Sequence, residues 1–320
     1  MTIPPTLTVE SLLHKFLQGP VEDFLARPRK DLRGDILKIG FLLYASKTPD
    51  QQTQRDLASL SSLLEWVHAG SLIIDDIQDD SLERRGDQCL HRKYGVPCAL
   101  NAANWMYFEA LRKIDEISLS ECQKFKMIRL TLDMMSRAHQ GQAIDIMTNI
   151  TELAREEIFE LGMKGHDLKS GALFALALSL GALLADEEVD LKKLSELGSS
   201  IGCSLQRFDD LGNFNIHDKS SKALEDLKLG RPTWPWMYVA KYRSSDELTA
   251  FKEIVKLLPD TKELELFLER TKVREEALML ARELHFEIFS NLDGPFPGIL
   301  REEGLVQLKN ILQKVSHAYV

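Results

Sequence analysis

Apolar residues recur along most of this chain at positions i, i+3, i+4 and i+7, the spacing that places them on one face of an α-helix. Runs that alternate apolar and polar residues, which are typical of a half-buried strand, are nearly absent. The pattern therefore predicts an all-α fold. The predicted helices cover residues 7–25, 33–47, 51–80, 98–115, 119–150, 153–163, 167–185, 190–215, 232–243, 246–257, 260–289 and 299–317.

Breaks between these helices fall where Gly, Pro and charged residues cluster, for example at Gly86–Pro97 and Gly294–Gly298. No internal repeat, low-complexity stretch or shift of composition divides the chain, so we predict a single domain over residues 1–320. Several predicted helices are long and largely apolar. They are typical of a large helical bundle whose central helices are buried and whose ligand site lies between helices.

Composition narrows the classes of function. The chain has 320 residues, 44% of them hydrophobic, which is enough for a sizeable core. Its net charge of −9 argues against a nucleic acid partner, because binding to a phosphate backbone needs a basic surface. The longest apolar run, Ala172–Ala185, is too short to span a bilayer, so no transmembrane segment is predicted.

The cysteines and the N-terminal residues both favour a cytoplasmic location. The four cysteines show no spacing typical of a metal site, and the first residues lack the basic and apolar regions of a signal peptide. Reduced thiols are usual in the cytoplasm. We therefore expect a cytoplasmic protein and assign its cysteines no chemistry.

Two clusters of acidic and amide side chains lie at the ends of two predicted helices. The first cluster is Asp75, Asp76 and Asp79, and the second cluster is Asp209, Asp210 and Asn213. Their spacing brings three oxygen-bearing side chains into one patch of a helix surface. Mg²⁺ prefers hard oxygen ligands and is typically shared between carboxylates and substrate phosphates. The clusters therefore predict more than one Mg²⁺ ion and a diphosphate ester as substrate.

Basic residues lie close to the first cluster in the sequence. Arg84 and Arg85 follow it, His68 precedes it on the same helix face, and a basic island over residues 27–33 comes earlier in the chain. Guanidinium groups bind phosphate oxygens bidentately, so these residues indicate diphosphate binding beside the metal and at a second, metal-free anion site. The simpler alternative is a solvated acidic helix end with basic neighbours.

Seven segments of the chain together resemble the motifs of one enzyme family. They are PRKDLRG (28–34), HAGSLIIDDIQDDSLERRG (68–86), KYGVPCALNAANWMYFEAL (93–111), GQAID (141–145), KSG (169–171), QRFDDLGN (206–213) and EDLKLGRPTWP (225–235). In this order they resemble trans-isoprenyl diphosphate synthases of the polyprenyl synthetase family. The resemblance is closest to eukaryotic-type geranylgeranyl diphosphate synthases, in which the second motif commonly ends in Asn.

The resemblance implies an isoprenoid synthase fold and a role for each matched residue. The two clusters would hold Mg²⁺ ions that bridge to an allylic diphosphate, which Arg84 would also bind. The diphosphate of isopentenyl diphosphate would be held by Lys30, Arg33, His68 and Arg85. Catalytic roles over the allylic tail would belong to Lys169, Ser170 and Gln206. The implied reaction is a head-to-tail condensation of the two diphosphates, and the implied assembly is a homodimer.

Small residues one turn before Asp75 bear on product length. Gly70 and Ser71 leave room where a bulky side chain would block the prenyl tail, and one helical turn, about 5.4 Å, is close to one isoprene unit. The floor of the pocket would then be Tyr107, Phe108 and His139, an arrangement that resembles C20-forming synthases. Ordinary aromatic core packing is the alternative for these side chains.

Some positions depart from the family pattern and keep other readings open. Arg231 stands where the family usually has Lys, and the spacing does not decide whether Lys219 or Lys222 contacts diphosphate. One alternative is a terpene cyclase on the same fold, although it would not use Lys30, Arg33, His68 and Arg85 together. Another is a catalytically inert partner subunit of a true synthase, although both clusters are intact.

Overall fold

A computed structural model of the chain describes residues 8–216, 224–290, 292 and 300–318. Helices account for the described structure apart from two strands of two residues each, which confirms the predicted all-α class. The chain divides into two compact units, Met1–Asp35 with Pro49–Ile128 and Ile36–Thr48 with Arg129–Val320. Two of the three boundaries between the units fall inside helices, and the third, between Thr48 and Pro49, falls in a connection. The prediction of a single domain stays a prediction.

The first unit contains short helices at its start and two long helices that carry most of its core. Its elements are α1 (Val9–Leu13), a π-helical segment (His14–Gln18), α2 (Gly19–Ala26), the start of α3 (Leu32–Tyr44), α4 (Gln51–Gln78), β1 (Glu83–Arg84), β2 (Asp87–Gln88), α5 (Leu90–Tyr94), α6 (Val96–Arg112) and the start of α7 (Glu121–Met147). The segment Gly86–Pro97, which was predicted as a break between helices, contains β2 and α5, and β1 lies just before it.

Helices α4 and α6 approach closely because small residues line their contact. Ala69 and Gly70 of α4 lie against Ala102, Ala103 and Met106 of α6, and all five are buried. Small side chains let two helix backbones come together with no gap between them. This contact fixes the position of the carboxyl-terminal part of α4 along α6.

The second unit is larger and its helices follow the sequence prediction closely. Its remaining elements are a 3₁₀ turn (Ile150–Glu152), α8 (Arg155–His166), a π-helical segment (Asp167–Gly171), α9 (Ala172–Ala185), α10 (Leu191–Asn213), α11 (Glu225–Lys228), α12 (Trp234–Tyr242), α13 (Ser245–Val255), α14 (Lys262–Thr271), α15 (Val273–Ser290) and α16 (Glu302–Ala318). The predicted helix 260–289 is two helices, because Lys272 between them has φ of 54°.

The core of the second unit combines an all-apolar helix with an aromatic cluster. Helix α9 is buried along nearly its whole length. Aromatic rings fill the space between α10, α12, α13 and α14, with Trp236 and Phe251 centred 4.5 Å apart and Phe251 and Phe267 stacked at 5.4 Å. Such ring pairs add stability beyond the area that they bury.

Two helical stretches are long and apolar enough to cross a membrane by length and composition alone. They are Gln51–Gln78 and Arg155–Ala185, and the second is longer than the sequence suggested because the π-helical segment joins α8 to α9. The apolar window of Arg155–Ala185 is 78% buried inside the protein. A core helix gives the same signal, so these stretches do not themselves indicate a membrane protein.

Two glycines allow α3 to cross α9 at backbone contact. A Cβ atom on Gly181 would lie 1.9 Å from the Leu37 carbonyl oxygen, and one on Gly40 would lie 2.2 Å from the Leu178 carbonyl oxygen. These distances are far below any van der Waals contact, and the neighbouring atoms belong to the backbone. The crossing therefore requires glycine at both positions.

We predict that Gly181→Ala lowers the free energy of unfolding by about 1–3 kcal/mol or more, because the two helices must separate to admit the methyl group. The matched control is Gly165→Ala, where the nearest atom to the new Cβ is Ile144 Cγ2 at 3.7 Å. That helical position gains about 0.5–1 kcal/mol from the higher helix propensity of alanine. Urea denaturation of both variants measures the difference, and equal effects would refute the close crossing.

Candidate active site

The first cluster lies at the carboxyl end of α4. Asp50 caps the start of this helix by accepting a hydrogen bond from the Thr53 amide at 2.8 Å, and Asp79 is its C-cap residue. Asp75 and Asp79 are half-buried, whereas Asp76 is 1% exposed. Carboxylates at the negative end of a helix dipole are unfavourable unless a cation lies beside them. A positive charge beside the first cluster is therefore needed to stabilise its carboxylates.

Arg84 supplies part of that charge. Its Nε donates to Asp76 Oδ1 at 2.7 Å, and its Nη2 donates to Asp75 Oδ2 at 3.3 Å. Burial works to lower the pKa of Arg84, but the hydrogen bond and the charge of Asp76 raise it overall. The guanidinium is therefore firmly charged. Arg84, the residue predicted to bind the allylic diphosphate, is thus hydrogen-bonded to two carboxylates of the first cluster.

The β1–β2 hairpin holds Arg84 and Arg85 at the cluster. Its turn needs two residues of positive φ, Arg85 at 56° and Gly86 at 78°. Buried Arg27 donates through Nη1 to the Arg84 carbonyl at 3.0 Å and also pairs with Asp23. The sequence placed Arg27 in a basic island, whereas the structure uses it to fix the hairpin.

The predicted metal-free anion site gathers around His68. Burial, together with the charges of Arg33, Arg85 and Arg84, holds the pKa of His68 well below its ordinary value, so the imidazole is neutral at pH 7. Arg85 donates to Glu65 Oε1 at 2.9 Å. Three of the four residues predicted for this site, Arg33, His68 and Arg85, therefore lie close together.

Lys30, the fourth, is exposed. Its predicted contact with isopentenyl diphosphate stays a prediction. Its neighbour Arg29 lies 3.4 Å from Glu65 through Nε, so Glu65 holds two guanidinium groups. The role of Glu65 was missed by the sequence analysis.

Tyr107, one of the residues predicted to form the floor of the tail pocket, lies beside Gly70. Gly70 is buried, and a Cβ atom there would lie 3.2 Å from Tyr107 Cε1. Ser71 donates to the His68 carbonyl of its own helix at 2.7 Å. Burial raises the pKa of Tyr107 and the charge of Asp75 raises it further, which places this phenol near the first cluster.

Phe108 does not join Tyr107 in this way. Phe108 is 68% exposed, because one residue along a helix turns the side chain by about 100°. Within the single chain the Phe108 ring is therefore not buried with Tyr107, and its predicted place in the floor stays a prediction. His139 belongs to the second unit, where it is exposed and its Nδ1 lies 2.9 Å from the Met135 carbonyl oxygen.

The second cluster lies at the carboxyl end of α10. Asp209 is exposed and Asp210 is 4% exposed. Asp210 Oδ1 accepts from Gln206 Nε2 at 2.8 Å, and its Oδ2 accepts from the Trp234 amide at 2.6 Å and lies 3.1 Å from His166 Nε2. Each oxygen therefore has a protein donor, which favours a structural role for Asp210, and its predicted role as a metal ligand stays a prediction. Exposed Asn213 donates to Asp226 Oδ2 at 3.5 Å.

The predicted catalytic residues lie in and beside the π-helical segment. Lys169 donates to Asp145 Oδ2 at 2.6 Å, and the Ser170 hydroxyl donates to Gln206 Oε1. A π-helical segment widens the turn and is often found at functional sites. Lys169, Ser170 and Gln206 are therefore brought together. The predicted substrate ligand Arg231 is buried and donates to the Asp145 carbonyl at 2.7 Å. Lys219 and Lys222 lie outside the described residues.

The residues of the first cluster suit a divalent cation. Asp76 Oδ2 is buried without a hydrogen-bond partner, a costly state that a bound cation relieves. No group of three His, Cys, Asp or Glu side chains among the described residues forms a closed metal site. Mg²⁺ does not require one, because it keeps several waters and takes oxygen ligands from a substrate. The donor set therefore fits Mg²⁺.

Comparison with known proteins identifies the family. The family model described as polyprenyl synthetase matches residues 14–269, which is most of the chain. The chain belongs to the polyprenyl synthetase family. This confirms the resemblance drawn from the seven segments, and with it the prediction of a prenyltransferase enzyme at the level of the family.

Individual relatives of this polyprenyl synthetase are distant. It is 29% identical to geranylgeranyl pyrophosphate synthase 2 of Zymoseptoria tritici over 72% of this chain and 66% of that protein. It is 28% identical to a terpene synthase of Matsumurasca onukii over 90% of this chain and 92% of that protein. These identities support membership of the family.

A solved structure shows the same fold. The polyprenyl synthase from Caulobacter crescentus, complexed with calcium and isoprenyl diphosphate, matches 98% of this chain and 90% of its own with a TM-score of 0.74 at 17% identity. The predicted isoprenoid synthase fold of this polyprenyl synthetase is therefore confirmed.

Several residues at the site were invisible to pattern reasoning. His166 lies in none of the seven segments, and only the folded chain brings it to the second cluster. Asp226 stands in the EDLKLGRPTWP segment, but that motif does not predict its contact with Asn213. Asp145 stood at the end of the GQAID segment, but its pairing with Lys169 was not inferred. Glu65 lies three residues before His68, so its helix face was the one available signal.

We predict that Arg84→Met lowers the free energy of unfolding of this polyprenyl synthetase by about 3–5 kcal/mol, because it leaves buried Asp76 without its cation. The matched control is Arg112→Met, which removes an exposed arginine that pairs with Glu109 at 2.9 Å and costs less than about 1 kcal/mol. Urea denaturation at pH 7.5 compares them. A loss in Arg84→Met no larger than in the control would contradict the buried pair.

Proposed function

We propose that this polyprenyl synthetase condenses isopentenyl diphosphate with an allylic diphosphate in a Mg²⁺-dependent reaction that gives geranylgeranyl diphosphate. One observation carries the proposal: the first cluster holds a buried carboxylate oxygen without a partner beside a fixed arginine, in a unit that also gathers His68, Arg33 and Arg85. A metal-bound diphosphate and a metal-free one need these two kinds of site.

The allylic diphosphate is proposed to bind at the aspartates. The side chains proposed to hold Mg²⁺ are the carboxylates of Asp75, Asp76, Asp79 and Asp209, with Asn213 as an amide oxygen ligand. Mg²⁺ supplies charge neutralisation for the departing diphosphate. Arg84 stays charged beside Asp75 and Asp76 and keeps these carboxylates in one orientation.

Isopentenyl diphosphate is proposed to bind through cations rather than through metal. Arg33 and Arg85, with the exposed Lys30, offer guanidinium and ammonium donors, and neutral His68 offers one N–H without adding charge. Arg85 is tied to Glu65, so its guanidinium is already oriented before the ligand arrives. Pre-orientation of this kind lowers the entropy lost on binding.

Three side chains of the second unit are proposed to act at the reacting carbons. Lys169, held by Asp145, places a positive charge that favours departure of the anionic leaving group. The linked Ser170 and Gln206 present fixed dipoles to the allylic cation. Arg231, which donates to the Asp145 backbone, is proposed to support the same diphosphate. No side chain here is placed as an evident base, so the released diphosphate is proposed to take the proton.

The C20 product rests on the small residues of α4 and on the names of relatives. Gly70 leaves the space that Tyr107 fills from α6, and Ser71 adds no bulk. The tail is proposed to stop at Tyr107, with His139 as a further candidate. The relative from Zymoseptoria tritici bears the name of a geranylgeranyl pyrophosphate synthase, at 29% identity.

We infer a homodimer and a cytoplasmic location as further parts of this proposal. The exposed apolar side chains Val96, Leu100 and Phe108 form one stripe on α6, which supports contact with a second copy of the chain. In a dimer the ring of Phe108 would be covered by the partner. Free cysteines among the described residues support a reducing compartment.

A terpene cyclase is the second candidate. The terpene synthase of Matsumurasca onukii matches 90% of this chain and is itself covered over 92% of its length, so the likeness to it is nearly complete in extent. A cyclase ionises one diphosphate and has no use for a second anion site. The arginines around His68 therefore favour the condensing enzyme.

We predict that the purified protein, given Mg²⁺, labelled isopentenyl diphosphate and a C5, C10 or C15 allylic diphosphate, forms prenyl diphosphates lengthened in five-carbon steps up to C20. Replacement of Asp75 and Asp76 by Ala abolishes turnover, because the metal loses its ligands. The control is Asp246→Ala, an exposed aspartate of α13, which keeps full activity. Products are resolved by chain length.

Other outcomes of this assay contradict the proposal. A hydrocarbon released without isopentenyl diphosphate would establish the cyclase. Complete inactivity with every substrate would favour the inert partner subunit. Retention of most activity without Asp75 and Asp76 would refute the metal assignment.

We also predict that Tyr107→Ala extends the product beyond C20 by at least one isoprene unit, because the space beneath Gly70 opens by the volume of a phenol ring. Phe108→Ala is the matched control on the same helix and leaves product length unchanged, since its ring is exposed on the single chain and Tyr107, not Phe108, is the aromatic residue beside Gly70. Chromatography of the dephosphorylated products measures both. If Phe108→Ala made a longer product and Tyr107→Ala made a product of wild-type length, the assignment of the floor would be reversed.

A further inference from the structure

The carboxyl group of Asp210 is held from three directions inside the second unit. Gln206 Nε2 reaches Oδ1 at 2.8 Å, the Trp234 amide reaches Oδ2 at 2.6 Å, and His166 Nε2 lies 3.1 Å from Oδ2. The carboxyl group and the imidazole are both buried, at 4% and 6% exposure. Hydrogen bonds of this kind offset the cost of burying a carboxyl group.

His166 can meet Asp210 in only one way. A carboxylate accepts hydrogen bonds, so the imidazole presents N–H at Nε2 to it. The other ring nitrogen, Nδ1, is buried without a hydrogen-bond partner. Burying the imidazole with one nitrogen unpaired costs free energy. We take the contact of Nε2 with Asp210 to be the reason why a histidine stands here.

The orientation of Asp210 fixes the residues that the proposed reaction uses. Because Gln206 donates its amide N–H to Asp210, its amide oxygen points the other way and accepts from the Ser170 hydroxyl. An amide can satisfy both neighbours in this orientation and in no flipped one. His166, Asp210, Gln206 and Ser170 thus form one hydrogen-bonded series.

We propose that His166 is a positioning residue, which holds the Asp210 carboxylate and through it orients Gln206 and Ser170 toward the allylic substrate. The inference rests on the proposed condensation and deepens it. Asp210 then acts as an acceptor within the protein, and the proposed metal contact of the second cluster is assigned to Asp209. His166 touches no substrate itself, so its effect falls on the rate of the chemical step and not on the binding of isopentenyl diphosphate.

Two variants and one control test the role of His166. His166→Phe keeps an aromatic ring and removes the donor, and His166→Gln keeps an amide N–H that can reach Asp210. The control is Ser204→Ala, which removes another buried hydrogen bond of α10, from the Ser204 hydroxyl to His285 Nδ1 at 2.7 Å, away from the cluster. Thermal unfolding confirms that each variant is folded.

The expected result is a separation of kcat from KM. His166→Phe lowers kcat about 10- to 100-fold, the loss expected for one hydrogen bond to a charged group, and leaves KM for isopentenyl diphosphate within about twofold. His166→Gln recovers most of the rate, and Ser204→Ala keeps kcat within about twofold. A kcat for His166→Phe near that of wild type, or a Gln variant as slow as Phe, would overturn the proposal.

A measurement that needs no turnover separates this inference from the proposed function. A crystal structure of His166→Phe is expected to show Asp210 or Gln206 in a different rotamer from wild type. Unchanged rotamers for both would overturn the positioning role, whatever the enzyme catalyses. Failure of the wild-type protein to condense any pair of diphosphates would instead refute the proposed function, while the rotamer result would still decide the role of His166.

Discussion

Carboxylates placed at the carboxyl ends of two helices are the constraint on which the rest of this site depends. Helices α4 and α10 both end in acidic residues, where the helix dipole is negative and each added anion costs about 0.3–1 kcal/mol. The fold must therefore supply cations or hydrogen-bond donors at both ends. Arg84 and the hairpin that carries it meet this need at α4, and His166, Gln206 and the Trp234 amide meet it at α10.

The carboxylates at the two helix ends differ in how many of their oxygens have hydrogen-bond donors. This difference suggests different roles for the two clusters. Asp76 gives one oxygen to Arg84 and keeps a second buried oxygen without a partner, so the first cluster remains suited to a metal ion. Asp210 has donors on both oxygens and behaves as part of the protein framework. Some carboxylates of an acidic motif can thus be suited to bind a metal while others orient their neighbours. The number of protein donors on each carboxylate distinguishes the two kinds.

The sequence allowed the all-α class, the long helices and the family to be predicted, because helical periodicity and local motifs are properties of neighbouring residues. It did not allow the partners of those motifs to be predicted. Phe108 follows Tyr107 directly and was assigned the same role, but the turn of the helix exposes its ring. His166 and Glu65 became visible only when folding brought them to Asp210 and Arg85. The hairpin was missed because two-residue strands have no periodicity to detect.

The most direct test of this account is a crystal structure of the protein with Mn²⁺ and inorganic pyrophosphate, in which anomalous scattering locates the metal. The account predicts metal ions within about 2.2 Å of carboxylate oxygens of the first cluster and of Asp209, with Asp210 still bound to its three protein donors. A metal ion ligated by Asp210, or no metal at the first cluster, would contradict it.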